Sequence, residues 1–405
     1  VSLRLGREKY EDVVMVSLIV MLIVLGCAAF QLLKGTLVRS FATFIITICA
    51  SVVAFSYFEL LANVFIGREL VIPWAHTLSF LLLFLFTFAV LQTLAQYLTR
   101  QNVDLGLWPE RIGRVVCGIF SGLVLSGFLL TAFAMAPLPN KYPYQRFNQR
   151  SPDAGRPTKA LLNIDAFASG LFGTVSKGSL SGKTSFAALH PAFIDQLFLN
   201  RHNAADGIST VTSSQAIEVP KNIAVWPAPE NLKNAADPTK TIESTKQDGK
   251  LTLVRMGISK SAVGEAGIFT LSQLRLICKQ ESDDQSPFTG NGQNIYPIGY
   301  MSAMDTLQKK RLNEVVKVTR SDFEENSRVR WIDFAFYVPT DSEPVLLEFK
   351  QNSIVELPER KENEPAPQPI PFVPTPEKEK ETKKPDKPSQ PKRPGRPSSP
   401  RNSLE

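Results

Sequence analysis

The chain carries few residues equipped for catalysis, so their spacing decides how they read. Only three histidines occur, His76, His190 and His202. A Ser-His-acid triad needs a nucleophile beside one of them, and no G-x-S-x-G stretch is present. His190 directly precedes Pro191 and reads as a helix-boundary residue. Gly178-Ser-Leu-Ser-Gly182-Lys183-Thr184 resembles a phosphate loop, but it has three residues between its glycines where the motif has four. It also lacks a preceding strand, and is expected to be a flexible loop. Asp333 and Glu348 fall in strand-like runs, on faces expected to be exposed, where two solvated carboxylates are commonplace. Cys27, Cys49 and Cys117 lie in apolar runs and Cys278 stands alone, with no CxxC spacing. Neither a zinc site nor a disulfide framework is expected, and the cysteines read as small packing residues. No catalytic, cofactor-binding or metal-binding residue is assigned, and the expectation is a protein that is not an enzyme and uses no cofactor.

The elements around these residues are more telling. The average of 44% hydrophobic residues conceals a sharp division of the sequence. Four apolar segments occupy the first third: Val13 to Leu33, Phe41 to Phe65, Trp74 to Leu98 and Val115 to Ala136. Each approaches or exceeds the roughly 20 residues that cross a bilayer as a helix. In lipid the backbone must satisfy itself, so helix is the expected conformation. The first run follows Arg4, Arg7 and Lys9 but is long and lacks a cleavage site, and is read as a retained helix. Short connections imply antiparallel neighbours in a four-helix membrane domain over residues 1–139.

Gly118, Gly122 and Ser126 recur every four residues in the fourth segment. Such a small-residue stripe lets another backbone approach closely. It serves either packing within the bundle, the simpler reading, or homo-oligomerisation through this span. Gln92 and Gln96 share a face of the third span. Glu59 and His76 lie near span ends, where solvation is expected.

The first third resembles the colicin V production protein family over about residues 12–137. Asp12 precedes the first span, Lys34-Gly35 with Arg39 forms the first loop, and Arg111 is followed by Gly118 and Gly122 at the family's glycine spacing. Arg114 stands where the family usually has a further glycine. The resemblance implies four helices in the bacterial inner membrane, a role in toxin production (toxin biosynthesis), and no catalytic activity common to the family. Some members carry an appended soluble domain outside the cytoplasm, in one group a serine protease. No Gly-rich serine motif of that kind is visible here.

After the membrane domain, residues 140–204 read as a helical juxtamembrane linker, with helical spacing over Pro157 to Ser176 and Pro191 to Arg201. Residues 205–250 read as an irregular connector. Strand signals dominate residues 251–357: Leu251 to Ile258, Ile268 to Cys278, Ile295 to Met301, Glu314 to Thr319, Val329 to Val338 and Pro344 to Lys350. Within one of these runs, Ile332, Phe334, Phe336 and Val338 are expected to face a core. A mainly antiparallel, sandwich-like β domain is expected. Residues 358–405, dense in Pro, Lys, Glu and Ser, read as a disordered tail.

The expected partners are the lipid bilayer and an envelope protein or polymer bound by the β domain, with no nucleic acid. The first and third loops carry more Lys and Arg than the second, which favours them as cytoplasmic. Arg4, Arg7 and Lys9, with Lys141 and Arg146, pull the other way. The family resemblance turns this near balance towards an extracytoplasmic soluble domain. The alternatives to an envelope factor are a channel or transporter built from oligomerised bundles, and a membrane-tethered hydrolase.

Overall fold

The four apolar segments form helices α1 (Ser2–Lys34), α2 (Leu37–Gly67), α3 (Ala75–Leu98) and α4 (Leu107–Met135) in the computed structural model. The structure describes residues 2–98, 106–160, 163–177, 185–246, 249–280, 292–358 and 365–374. Within these helices, Val13–Lys34, Leu37–Gly67, Ile72–Leu98 and Leu107–Met135 are long and apolar enough to cross a membrane. Helices α1, α2 and α4 extend beyond their apolar runs because the backbone ladder continues into flanking residues, whereas α3 stays within its run. The turn between α1 and α2 is tight: Thr36 caps α2, accepting from the Arg39 amide. A side chain at Gly35 would strike Ser40 Oγ and the Gln31 carbonyl, at 2.6 and 2.7 Å.

The bundle pairs α1 with α4 and α2 with α3, and α2 also packs on α4. Phenylalanines fill its centre. Phe80 stacks on Phe128 at 4.2 Å between ring centroids, and Phe84 on Phe128 at 4.1 Å.

The linker supplies α5 (Ile164–Lys177), α6 (Phe186–Leu189) and α7 (Phe193–Asn200). These helices share one apolar core with the bundle, in which Phe55 of α2 stacks on Phe172 of α5 at 4.9 Å. The glycine-rich loop at 178–184 lies outside the described residues.

The β domain is built on two long antiparallel strands. In chain order its strands are β1 (Ile217–Glu218), β2 (Val225–Pro227), β3 (Lys233–Asn234), β4 (Asp237–Thr241), β5 (Thr245–Lys246), β6 (Gly249–Ser259), β7 (Ile268–Thr270), β8 (Leu274–Gln280), β9 (Gln293–Ile295), β10 (Gly299–Ala303), β11 (Thr306–Lys309), β12 (Val315–Lys317), β13 (Val329–Pro339), β14 (Ser342–Phe349) and β15 (Ser353–Glu356). The larger sheet runs β1-β6-β13-β10-β11-β3-β4, with β2 and β5 also on β6. The second sheet runs β15-β14-β8-β9, and β12 pairs with β7. All pairings are antiparallel except β3 with β11. The two large sheets close on a common core of Met256, Ile332, Phe334, Phe336, Leu276, Leu347 and Phe349. This is the expected sandwich, with Ile332, Phe334, Phe336 and Val338 turned inward.

Three expectations need correction. The stretch 205–250 is not an irregular connector: it contributes β1 to β5 and covers the other face of the larger sheet with Trp226, Leu232 and Ile242. Its apolar residues are scattered among polar ones, so no period announces them. The single strand expected over Ile268 to Cys278 is broken at Leu271–Gln273 by a 3-10 turn with a Thr270/Gln273 capping box. The tail reading fails at residues 365–374, which lie on the sandwich. There Phe372 is wholly buried against Tyr300, its amide donates to Met301 O, and Arg255 donates to Gln368 O. The rest of the tail, 359–364 and 375–405, lies outside the described residues.

Candidate functional site

The α2 segment contains one acidic residue, Glu59. A carboxylate in a membrane helix is costly unless partnered, and such residues are pairing or functional candidates. Its partner is His190, whose Nε2 lies 2.9 Å from Glu59 Oε1. Local structure fixes His190 in place. Ser185 caps α6 by accepting from the Ala188 amide at 3.1 Å, and His190 follows as the helix end, its own amide donating to Phe186 O at 2.8 Å. Its ring is held between Phe186 and Phe193, each at 4.9 Å.

Beyond His190 the polar chain continues into the β domain. His190 Nδ1 is 3.2 Å from Gln196 Oε1 and 3.3 Å from Arg275 Nη2. Gln196 of α7 donates to Glu348 Oε1 at 2.7 Å, and Arg275 of β8 pairs with Glu348 Oε2. Arg275 also donates to Leu189 O at 2.8 Å and to Asn294 Oδ1, and Asn294 Nδ2 donates to Pro191 O. Arg275 and Glu348 face each other across β8 and β14, which is why the two side chains meet. Burial raises the Glu348 carboxyl above its ordinary value, while Arg275 beside it opposes the shift.

The His190 ring is thus engaged at both nitrogens, Nε2 towards the bundle and Nδ1 towards the linker and the β domain. His76 of α3 is 3% exposed, and among the described residues neither of its ring nitrogens has a hydrogen-bond partner. Its ring is edge-on to Phe58 at 6.1 Å. Among the described residues no histidine is hydrogen-bonded to a serine, threonine or cysteine, and no group of three potential ligands is placed to hold a metal.

A second set of bonds seats the linker on the bundle. Arg201, fully buried, donates to Phe133 O at 2.7 Å and to Ala136 O, satisfying carbonyls at the C-terminal end of α4, and also to Tyr142 O in the linker. Arg146 bonds Asp195 of α7 and the Tyr144 hydroxyl.

The residues singled out by sequence fall elsewhere. Gly118 and Gly122 face α1: a Cβ on Gly118 would lie 2.6 Å from Ala28 Cα, and one on Gly122 2.7 Å from Val24 Cα. Ser126 is buried on α4 with no partner for its hydroxyl. Lys34, Gly35 and Arg39 line a cleft of about 590 Å³ together with Gln92 and Gln96. Arg111 is exposed, and Asp12 lies on α1.

Asp333 and Glu348 are not exposed, as expected, but wholly buried. Both faces of their strands are covered, Glu348 by the linker and Asp333 by residues 365–374. Arg255 grips Asp333 through two bonds at 2.7 and 2.8 Å, and the Ile370 amide adds a third at 2.7 Å. His76 is likewise buried rather than solvated, because the aromatic core closes over it. Glu59, whose side chain is 31% exposed, is partly buried and paired with His190 rather than solvated. Sequence reasoning missed the Glu59–His190 contact. The legible signal was a lone acid in a span together with a lone histidine before a helix-starting proline.

Residues 16–152 match the family model described as Colicin V production protein. The match covers all four spans and runs past the resemblance read from the sequence, through Tyr144 and Arg146 of the linker. Asp12 lies just before it. The chain is thus a membrane protein whose residues 16–152 are similar to the colicin V production family, followed by a linker and a β sandwich. No curated protein and no solved structure matches the chain.

Proposed function

We propose that this protein is a non-enzymatic factor of the bacterial inner membrane, serving the envelope or toxin production, whose β sandwich binds an envelope protein or polymer outside the cytoplasm. The observation carrying this reading is the polar chain from Glu59 through His190 to Arg275 and Glu348. It anchors the β domain directly on the bundle instead of leaving it on a loose tether. Partner binding on the sandwich is thereby felt by the membrane helices.

A second reading, proton-coupled transport, is favoured by the ionisable pair Glu59 and His76 on membrane helices. Deleting the gene separates the two. An envelope factor predicts detergent sensitivity or altered toxin release with solute uptake unchanged. A specific uptake defect without an envelope phenotype would favour transport and sink the first reading.

A further inference from the structure

The helix α5 follows the four spans, and the colicin V production match ends before it begins. It packs on α4 very closely. A Cβ at Gly127 would lie 2.6 Å from both Ala168 Cβ and Ile164 O of α5. Gly127 is eight residues before the end of α4 at Met135, which places the crossing about 12 Å along the helix from that end. Phe172 stacks on Phe55, which is twelve residues before the end of α2 at Gly67, about 18 Å along that helix. Two independent contacts therefore set α5 level with the apolar stretches of α4 and α2 that are long enough to cross a membrane.

The face of α5 turned away from the bundle suits that depth. Ile164, Ala168 and Phe172 are buried, while Phe167 is 51% exposed and Leu171 37%. Gly170 and Thr174 are also exposed, but they line a cleft of about 780 Å³ with Arg156 and Lys159, so the apolar exposed patch of α5 is Phe167 and Leu171. The Thr174 hydroxyl donates back to Gly170 O at 3.0 Å and presents no unsatisfied donor. A helix of a soluble domain facing water would carry charged residues on that side. At 14 residues, about 21 Å long, α5 is too short to cross the hydrocarbon core.

We propose that α5 is a fifth, non-spanning membrane-embedded helix whose Phe167 and Leu171 contact lipid acyl chains. The lipid-facing surface of the bundle continues onto it. The linker thus enters the leaflet on the side of the β domain, and the bound lipid covers a face that needs no protein partner.

Site-directed spin labelling of the full chain in liposomes tests this. Cys27, Cys49, Cys117 and Cys278 are replaced, and labels are placed one at a time through Phe167→Cys and Leu171→Cys. Leu82→Cys, exposed on α3, gives the lipid reference, and Met304→Cys, exposed on the sandwich, the water reference. Oxygen should relax the α5 labels as at Leu82, with a ratio of oxygen to nickel-chelate accessibility several-fold above that at Met304. A ratio equal to that at Met304, or protection from both reagents, would overturn the proposal. In the unsubstituted chain, a phospholipid with an acyl-chain diazirine should label the α5 peptide. Labelling of α3 without α5 would overturn it equally.

Discussion

A histidine before a proline is ordinary, and His190 gains importance only from what surrounds it. It touches Glu59 on a membrane helix, Gln196 on α7 and Arg275 on β8. Removing it leaves Glu59 without its partner and opens a gap between Phe186 and Phe193. A buried group deprived of its hydrogen bond costs about 1–3 kcal/mol, at the lower end here because Glu59 is partly exposed. His190→Ala should therefore lower the melting temperature in detergent and expose the linker to protease. Glu59→Gln, which keeps an acceptor at that position, should do less. Equal melting of His190→Ala and the parent protein would show that the contact does not hold the linker. The Glu59–His190 pair was not legible because the residues are far apart in sequence and each alone has a bland explanation. The Arg275–Glu348 pair was hidden for a different reason: alternation along a strand gives its faces but not which faces are later covered.

Among the elements, α4 shows how a stripe of small residues acquires its meaning. The spacing of Gly118 and Gly122 establishes that some backbone comes close, and the structure identifies it as α1. Gly118→Leu and Gly122→Leu should each destabilise the bundle by about 2 kcal/mol or more, since overpacking against backbone cannot be relieved by rotating a side chain. Gly26→Leu on α1 provides the contrast, because nothing lies within 4 Å of its Cβ position. Thermal stability of the three variants in detergent checks this, and equal effects at all three sites would refute the seam. The β elements teach a related lesson. The paired strands β6 and β13 were readable from alternation, whereas β1 to β5 are two to five residues long. Strands so short show no period and depend on pairing with others: β1, β2 and β5 with β6, β3 with β11, and β4 with β3.

The whole molecule up to Pro374 forms one compact unit, in which linker and bundle share a core. This continuity bears on orientation. Four spans place the N-terminal end of α1 and the β domain on one side, and that side is outside the cytoplasm in the function proposed above. Alkaline phosphatase fused after Pro374 should be active, and one inserted into the loop between α1 and α2 of the otherwise full chain inactive. The reverse pattern would place the β domain in the cytoplasm and overturn the proposed envelope partner. Because the linker packs into the bundle, fusions that truncate before α5 are a poor reporter of the intact arrangement, and the sandwich should be retained.

The sequence by itself determined the four membrane helices, the β class of the later domain and the inward face of β13. These follow from uninterrupted apolar length and from period-two alternation, both local properties of a chain. The tertiary structure alone decided which helix meets the glycines of α4, that Phe372 and its neighbours dock on the sandwich, and that Asp333 and Glu348 are buried. It also decided that Glu59, His190, Arg275 and Glu348 form one polar chain. Those facts depend on contacts between residues distant in sequence, where burial and pairing are set by the partner surface and leave no periodic trace in either segment.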